Sequence, residues 1–312
     1  MQLNQINFTH NYKTLLVTIP KGKLIAVGGN EDKGTYPNPK STKKYYLDFF
    51  ELGILKRIVT EVKVTNPRIE VITTASMIPE EVGTRYIGAF TILGCTNIGV
   101  MDIRTPEDAH LPEYLERLKA ADGILFTGGD QSRLTTIFGE SNFLNLCCQR
   151  YQQEENFVIA GTSAGAMAMS EIMIKGGSST EALKKGAVKL GKGLGLINNV
   201  IIDSHFVKRG RFGRLIEAVG TYPRLIGIGL GEDTGILITC GNQIETIGSN
   251  LVIIVDGHHI MHNNIKEVKK GVPLSIENIM MHVLAKGNVY DIAERTFYKD
   301  LDSHQKKEDI AY

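Results

Sequence analysis

Ile159-Ala160-Gly161-Thr162-Ser163-Ala164-Gly165-Ala166-Met167-Ala168-Met169 decides how the rest of the chain is read. Phe157 to Ala160 is an apolar run that predicts a buried strand. Gly161-Thr162-Ser163-Ala164-Gly165 fits G-x-S-x-G, and the Ala/Met segment after it reads as a helix start. A serine on so tight a strand-to-helix turn points its hydroxyl out of the fold, and small neighbours let the backbone bend that sharply. The next amide, that of Ala164, lies at a helix N-terminus, where partial positive charge stabilises an oxyanion. A glycine-rich turn that merely packs a helix onto a sheet fits the pentapeptide equally well, so the flanking sequence must decide.

Upstream, Leu24 to Val27 is a short apolar strand ending at Gly28-Gly29, and the polar stretch Asn30 to Lys44 reads as a surface loop. Leu47, Phe50, Ile54, Leu55, Ile58 and Val62 recur at helical spacing and predict an amphipathic helix over about 46–64. Arg68 to Ala75 is β-rich, and Pro79-Glu80-Glu81 opens a helix. Ile98 to Ile103 is a strand. Thr105-Pro106-Glu107 then starts a helix with Leu111, Tyr114, Leu115 and Leu118 on one face. Gly123 to Thr127 is apolar and ends in Gly128-Gly129-Asp130-Gln131. Alternation of strand and helix predicts an α/β protein, an open and mostly parallel sheet with helices on both faces. Ligands of such sheets gather beyond the carboxyl ends of the strands.

Downstream, a glycine-rich stretch (Gly176 to Gly195) precedes the apolar Val200 to Ile202. Beyond Tyr222 the pattern turns β-rich, with Ile226 to Leu230, Gly235 to Thr239, Gln243 to Ile247 and Leu251 to Val255. Asp256-Gly257 is a hairpin signal, and Met280 to Ala285 fits a late strand. The expected organisation is an N-terminal extension (1–20), one α/β domain (21–298) and a charged, frayed C-terminal tail (299–312).

The 312 residues are 42% hydrophobic and 22% charged, ordinary for a globular protein. A net charge of +1 gives no electrostatic case for nucleic acid or an anionic membrane. Cys95, Cys147, Cys148 and Cys240 show no C-x-x-C spacing and suggest reduced thiols in a cytoplasmic protein. Neither a signal-peptide pattern nor an apolar run long enough to span a bilayer is read in the sequence.

A serine hydroxyl needs a base, and the base needs orienting. His205 follows an apolar strand in Asp203-Ser204-His205-Phe206, as Ser163 follows another, so two neighbouring strands of one sheet would bring them together, although on position alone a histidine buried at a strand end and hydrogen-bonded to backbone fits better. For the orienting acid, Glu232 and Asp233 stand at a strand end, and Asp203 is a rival that could equally serve the substrate pocket. Arg209, Arg211 and Arg214 are interleaved with Gly210 and Gly213. Arg211 and Arg214 share a helix face at this spacing, and their forks suit carboxylates, so the run reads equally as an anion site or as a solvated basic face. An oxyanion needs two backbone donors, assigned to Ala164 and to Gly129 of the Gly128-Gly129 pair, with Gln131 adding a side-chain hydrogen bond. His258, His259 and His262 lie on a strand-turn-strand stretch and are not expected to converge on a metal ion.

Taken together, Gly128-Gly129-Asp130-Gln131, Gly161-Thr162-Ser163-Ala164-Gly165-Ala166 and the run from Asp203 to Leu215 resemble the cyanophycinases. These are serine peptidases related to aspartyl dipeptidase (peptidase E). Gly28-Gly29-Asn30-Glu31-Asp32-Lys33 and Gly227 to Thr234 extend the likeness, which runs from about Leu24 to the end of the chain. The resemblance implies a flavodoxin-like sheet shared with class I glutamine amidotransferases, and a triad of Ser163, His205 and Glu232. It also implies a pocket built from Gln131, Asp203, Arg209, Arg211 and Arg214, with Ser204 where the family is expected to have glutamine. The implied activity is hydrolysis of cyanophycin, a polyaspartate with arginine on each β-carboxylate, into β-Asp-Arg dipeptides, with no metal or organic cofactor and a homodimeric assembly. An aspartyl dipeptidase acting on short Asp-Xaa or isoaspartyl peptides stays open, as does a non-catalytic binder of acidic peptides. A lipase-type order of acid and histidine does not fit, and serine stands where glutamine amidotransferases carry cysteine.

Overall fold

Lys23–Val27 (β1) is buried along its whole length because its two faces meet different cores. Leu24 and Ala26 join one cluster, Ile25 and Val27 the other. The structure, a computed structural model, describes residues 19–34 and 49–310. The helix α1 (Ile54–Val62) leads to β2 (Ile69–Ile72), then α2 (Pro79–Ile92), β3 (Ile98–Met101), α3 (Pro112–Ala120) and β4 (Gly123–Phe126). Next come α4 (Gln131–Phe138), α5 (Asn142–Gln153), β5 (Val158–Thr162) and α6 (Ala164–Ala168). Strands β1, β5, β4, β2 and β3 lie side by side in that order, all parallel. Ile54, Ile58, Tyr86 and Phe90 of α1 and α2 cover one face, and Leu118, Leu134, Phe138 and Phe143 of α3, α4 and α5 cover the other. Parallel strands sealed on both faces are near-continuous apolar runs, as these are apart from Lys23 and Thr162 at strand ends and Glu70 of β2, which pairs with Arg68 and Arg117.

Three helix starts differ from the sequence expectation. The described part of the 46–64 helix begins at Ile54, after Gly53 takes an extended conformation, and Leu47 lies outside the described residues. Thr105-Pro106-Glu107 leads only into a single tight turn at Asp108–His110, and the helix starts at Pro112, a second proline suited to a first turn. Gly210 sits in the turn before a helix that begins at Phe212, with φ +57.

Beyond α6, the glycine-rich stretch forms an antiparallel ribbon, β6 (Ile172–Gly177) with β7 (Val188–Lys192), which the sequence reading missed. A separate four-stranded sheet follows. Here β8 (Val200–Asp203) is joined through α7 (Phe212–Thr221) to its parallel neighbour β9 (Ile226–Leu230). The chain returns to the first sheet as β10 (Thr234–Thr239), antiparallel to β1, and β11 (Gln243–Gly248). It then rejoins the second sheet as β12 (Val252–Asp256). The Asp256-Gly257 hairpin does not form. A two-residue ribbon of β13 (His262–Asn263) and β14 (Ile276–Glu277) intervenes, and β12 pairs with β15 (Met280–Leu284). Finally β16 (Val289–Asp291) and β17 (Thr296–Tyr298) extend the first sheet to nine strands, and α8 (Leu301–Ile310) follows. Within the expected tail, residues 301–310 form this helix, and its buried His304 meets Gln243 and Asp291.

Candidate active site

Val27, the last residue of β1, and Gly28 and Gly29 just after it organise the site through their carbonyls. The oxygen of Val27 accepts from the Ser163 amide (2.9 Å), that of Gly28 from the His205 amide (2.9 Å), and that of Gly29 from the Asp233 amide (2.9 Å). Three turns from distant parts of the chain are therefore fastened to three consecutive peptide groups. Ser163, His205 and Asp233 all carry positive φ (51°, 47° and 49°), a clustering of backbone strain common at functional sites. Glycine is required at the second and third positions of this clamp. A Cβ on Gly28 would lie 1.9 Å from the Gly231 oxygen, and one on Gly29 2.5 Å from the His205 ring.

This geometry corrects one expectation. Ser163 and His205 do not follow neighbouring strands of one sheet, because β5 belongs to the nine-stranded sheet and β8 to the four-stranded one. They meet because both turns are hydrogen-bonded to the end of β1. Ser163 Oγ stands 3.0 Å from His205 Nε2, and His205 Nδ1 stands 2.8 Å from Glu232 Oε1. Of the three candidate acids, Glu232 holds the imidazole. Asp233 accepts from Ser249 and the Asp32 amide, and Asp203 from the protein's own arginines. Two further partners of Glu232 were not expected: Asn30 Nδ2 donates to Oε1 (2.7 Å) and Lys208 Nζ to Oε2 (2.7 Å).

Charges are set accordingly. Burial pushes the His205 pKa down, assisted by the Arg209 and Arg211 charges, and outweighs the upward pull of Glu232, so the imidazole lies below its ordinary 6.5. Burial raises Glu232, but Lys208 and His205 outweigh it and hold the carboxyl below 4.5. A histidine base works only while unprotonated, so a reaction that uses His205 as its base speeds up as pH rises through the His205 pKa. The acid limb of a kcat/KM profile is expected to have its midpoint below 6.5; a midpoint well above it would contradict this electrostatic environment.

Two cavities open on Ser163 and share Gly129, His205 and Arg209. The larger, about 390 Å³, adds Glu31, Lys33, Arg85 and Tyr86. The smaller, about 170 Å³, adds Gln131, Ser204, Arg211 and Arg214. Among the described residues no acceptor is bound to the N–H of Gly129 or Ala164. Gly129 has φ +145 and a Cβ there would fall 2.0 Å from the Ala75 oxygen, so only glycine fits. Gln131 donates through Nε2 to the carbonyls of Ile174 (2.9 Å) and Lys175 (3.0 Å), so its nitrogen ties the β6 ribbon to the pocket. Ser204 is buried, with its hydroxyl turned to Met167 Sδ.

Asp203 corrects another expectation. Its carboxylate is fully buried and does not line either cavity. Oδ1 accepts from Arg211 (2.9 Å), from Arg214 (3.3 Å) and from the Ser204 amide (3.0 Å). Arg214 Nε lies 3.2 Å from Oδ2, close enough for an ion pair but without hydrogen-bond alignment. Burial pushes the Asp203 carboxyl up despite both arginines. Asp203 thus fixes the two guanidinium groups from behind. Gly213 lets α7 approach Ala182, whose Cβ would stand 2.9 Å from an added one. Among the described residues no group of three or more His, Cys, Asp or Glu side chains is placed to hold a metal ion.

Helices on both faces of a mostly parallel sheet, with a serine, a histidine and a carboxylate in contact just beyond β5, β8 and β9, make an arrangement of the kind serine hydrolases use. The chain belongs to peptidase family S51, whose sequence model matches residues 50–247. It is 35% identical over 276 residues to the cyanophycinase of Trichormus variabilis, covering 88% of this chain and 87% of that one. It is 36% identical over 271 residues to that of Geminocystis herdmanii, covering 87% and 94%. A crystal structure of a peptidase from an acI-B1 actinobacterium shares the fold, with a TM-score of 0.58 at 21% identity over 88% of this chain and 98% of that one. Among the described residues no helix is long and apolar enough to cross a membrane.

Proposed function

We propose that this peptidase hydrolyses cyanophycin, with Ser163, His205 and Glu232 as its triad. The carrying observation is the continuous contact from Ser163 Oγ through His205 to Glu232 beside a cavity walled by three arginines. His205 takes the Ser163 proton as Oγ attacks the backbone carbonyl of an aspartyl residue. The amides of Gly129 and Ala164 receive the oxyanion. His205 then protonates the departing amine, and water, activated by the same imidazole, releases the acyl group. Arg209, Arg211 and Arg214 supply guanidinium groups suited to the carboxylates of this substrate. The names of the two relatives support the polymer as substrate.

A specific feature favours a second reading, an aspartyl dipeptidase. Ser204 is short and its hydroxyl faces Met167, so this wall of the smaller cavity is without the longer side chain expected before the histidine. Incubation with cyanophycin, β-Asp-Arg and α-Asp peptides, followed by product masses, separates the two. The proposal expects β-Asp-Arg released from the polymer. Cleavage of short Asp-Xaa peptides alone would replace it with the dipeptidase.

A further inference from the structure

The segment after β1 reaches the site with side chains as well as carbonyls, and one of them has no role in the chemistry above. Glu31 is almost wholly buried, its side chain 2% exposed. Its Oε2 accepts from the Thr162 hydroxyl at 2.7 Å. Its Oε1 accepts from Tyr86 Oη and from Lys33 Nζ, the latter at 3.0 Å. One carboxylate therefore joins β5, α2 and its own segment on the wall of the larger cavity.

Thr162 is the last residue of β5, and Ser163 follows with φ 51° and ψ −106°. A non-glycine residue so strained persists only where its surroundings over-determine it. Main-chain bonds from Ser163 to Val27 and from Met167 to Ser163 supply part of that restraint. The Thr162 hydroxyl adds a side-chain restraint one residue from the turn. A buried carboxylate is costly unless fully hydrogen-bonded, which makes it an expensive choice for a site that needs only packing.

We propose that Glu31 is a positioning residue that holds the Ser163 turn in its reactive geometry through the Thr162 hydroxyl. The role rests on Ser163 being the nucleophile. Burial alone raises the Glu31 carboxyl, yet Lys33, Tyr86 and Thr162 outweigh it and keep the group ionised at neutral pH, able to accept from three donors.

The test is the rate of Ser163 modification by a small fluorophosphonate, resolved into a maximal rate and a half-saturating concentration. Thr162→Val removes the hydroxyl at nearly constant volume and is expected to lower the maximal rate about tenfold or more, leaving half-saturation unchanged. Thr162→Ser restores it. Glu31→Gln has a similar effect, and Glu31→Gln with Thr162→Val is no slower than the slower single variant, because both break one link. Should Glu31→Gln fail to fold, the contrast between valine and serine at 162 decides. Wild-type rates for Thr162→Val, equal loss in valine and serine, or multiplicative losses in the double variant would overturn the role. An unlabelled wild type would instead overturn the nucleophile assignment on which it stands.

Discussion

Ser163→Ala lowers release of dipeptides from the substrate by on the order of 10⁴-fold or more and leaves the fold in place. On the proposed mechanism the loss is large because the Ser163 hydroxyl is the atom that would form the acyl bond. The fold survives because the Oγ contact recorded among the described residues is the one to His205 Nε2. Backbone anchoring of the turn runs through the amide and carbonyl, which alanine keeps. Product masses at matched protein concentration, with urea unfolding as the control, check both halves. Retained hydrolysis would remove Ser163 from the mechanism.

Asp203→Asn carries the largest expected loss of stability, about 3–5 kcal/mol, because a charge is deleted from the centre of a buried ion cluster. Arg214 is nearly as buried as the carboxylate itself, so its guanidinium cannot recover its lost partner by turning to water. All three hydrogen bonds that Asp203 accepts fall on Oδ1, which an amide oxygen can replace, but the amide nitrogen standing in for Oδ2 sets a donor against Arg214 Nε, 3.2 Å away. Freed arginines also widen the smaller cavity, so KM rises as stability falls. Urea denaturation gives the stability change directly; an unaltered midpoint would show that the arginines hold their places without Asp203.

Much of this site was legible in the sequence because its chemistry sits at strand ends, where short apolar runs stop at glycines. Ser163 and Glu232 each follow such a run, His205 follows one that stops at Asp203-Ser204, and the structure brings the three into contact. What the runs do not carry is sheet membership. Val200 to Asp203 and Val158 to Thr162 are equally apolar and equally buried, yet they belong to different sheets, and only the hydrogen bonds to Val27 and Gly28 reveal how their ends meet. Glu31 was hidden for the opposite reason. It lies in a polar stretch that reads as a loop, and its burial depends on hydroxyls 55 and 131 residues away. Asp203 was placed correctly near the arginines but on the wrong side of them, since spacing along the chain says nothing about which carboxylate faces solvent. The ribbon of β6 and β7 was masked by its glycines, which weaken any strand pattern.

Peptide mapping of the intact protein after treatment with a fluorophosphonate tests the central claim most directly, since it asks whether Glu232 and His205 make Ser163 nucleophilic. A single adduct on Ser163, lost in His205→Ala, is the predicted result. An adduct on another residue, or undiminished labelling of Ser163 once the imidazole is gone, would contradict it.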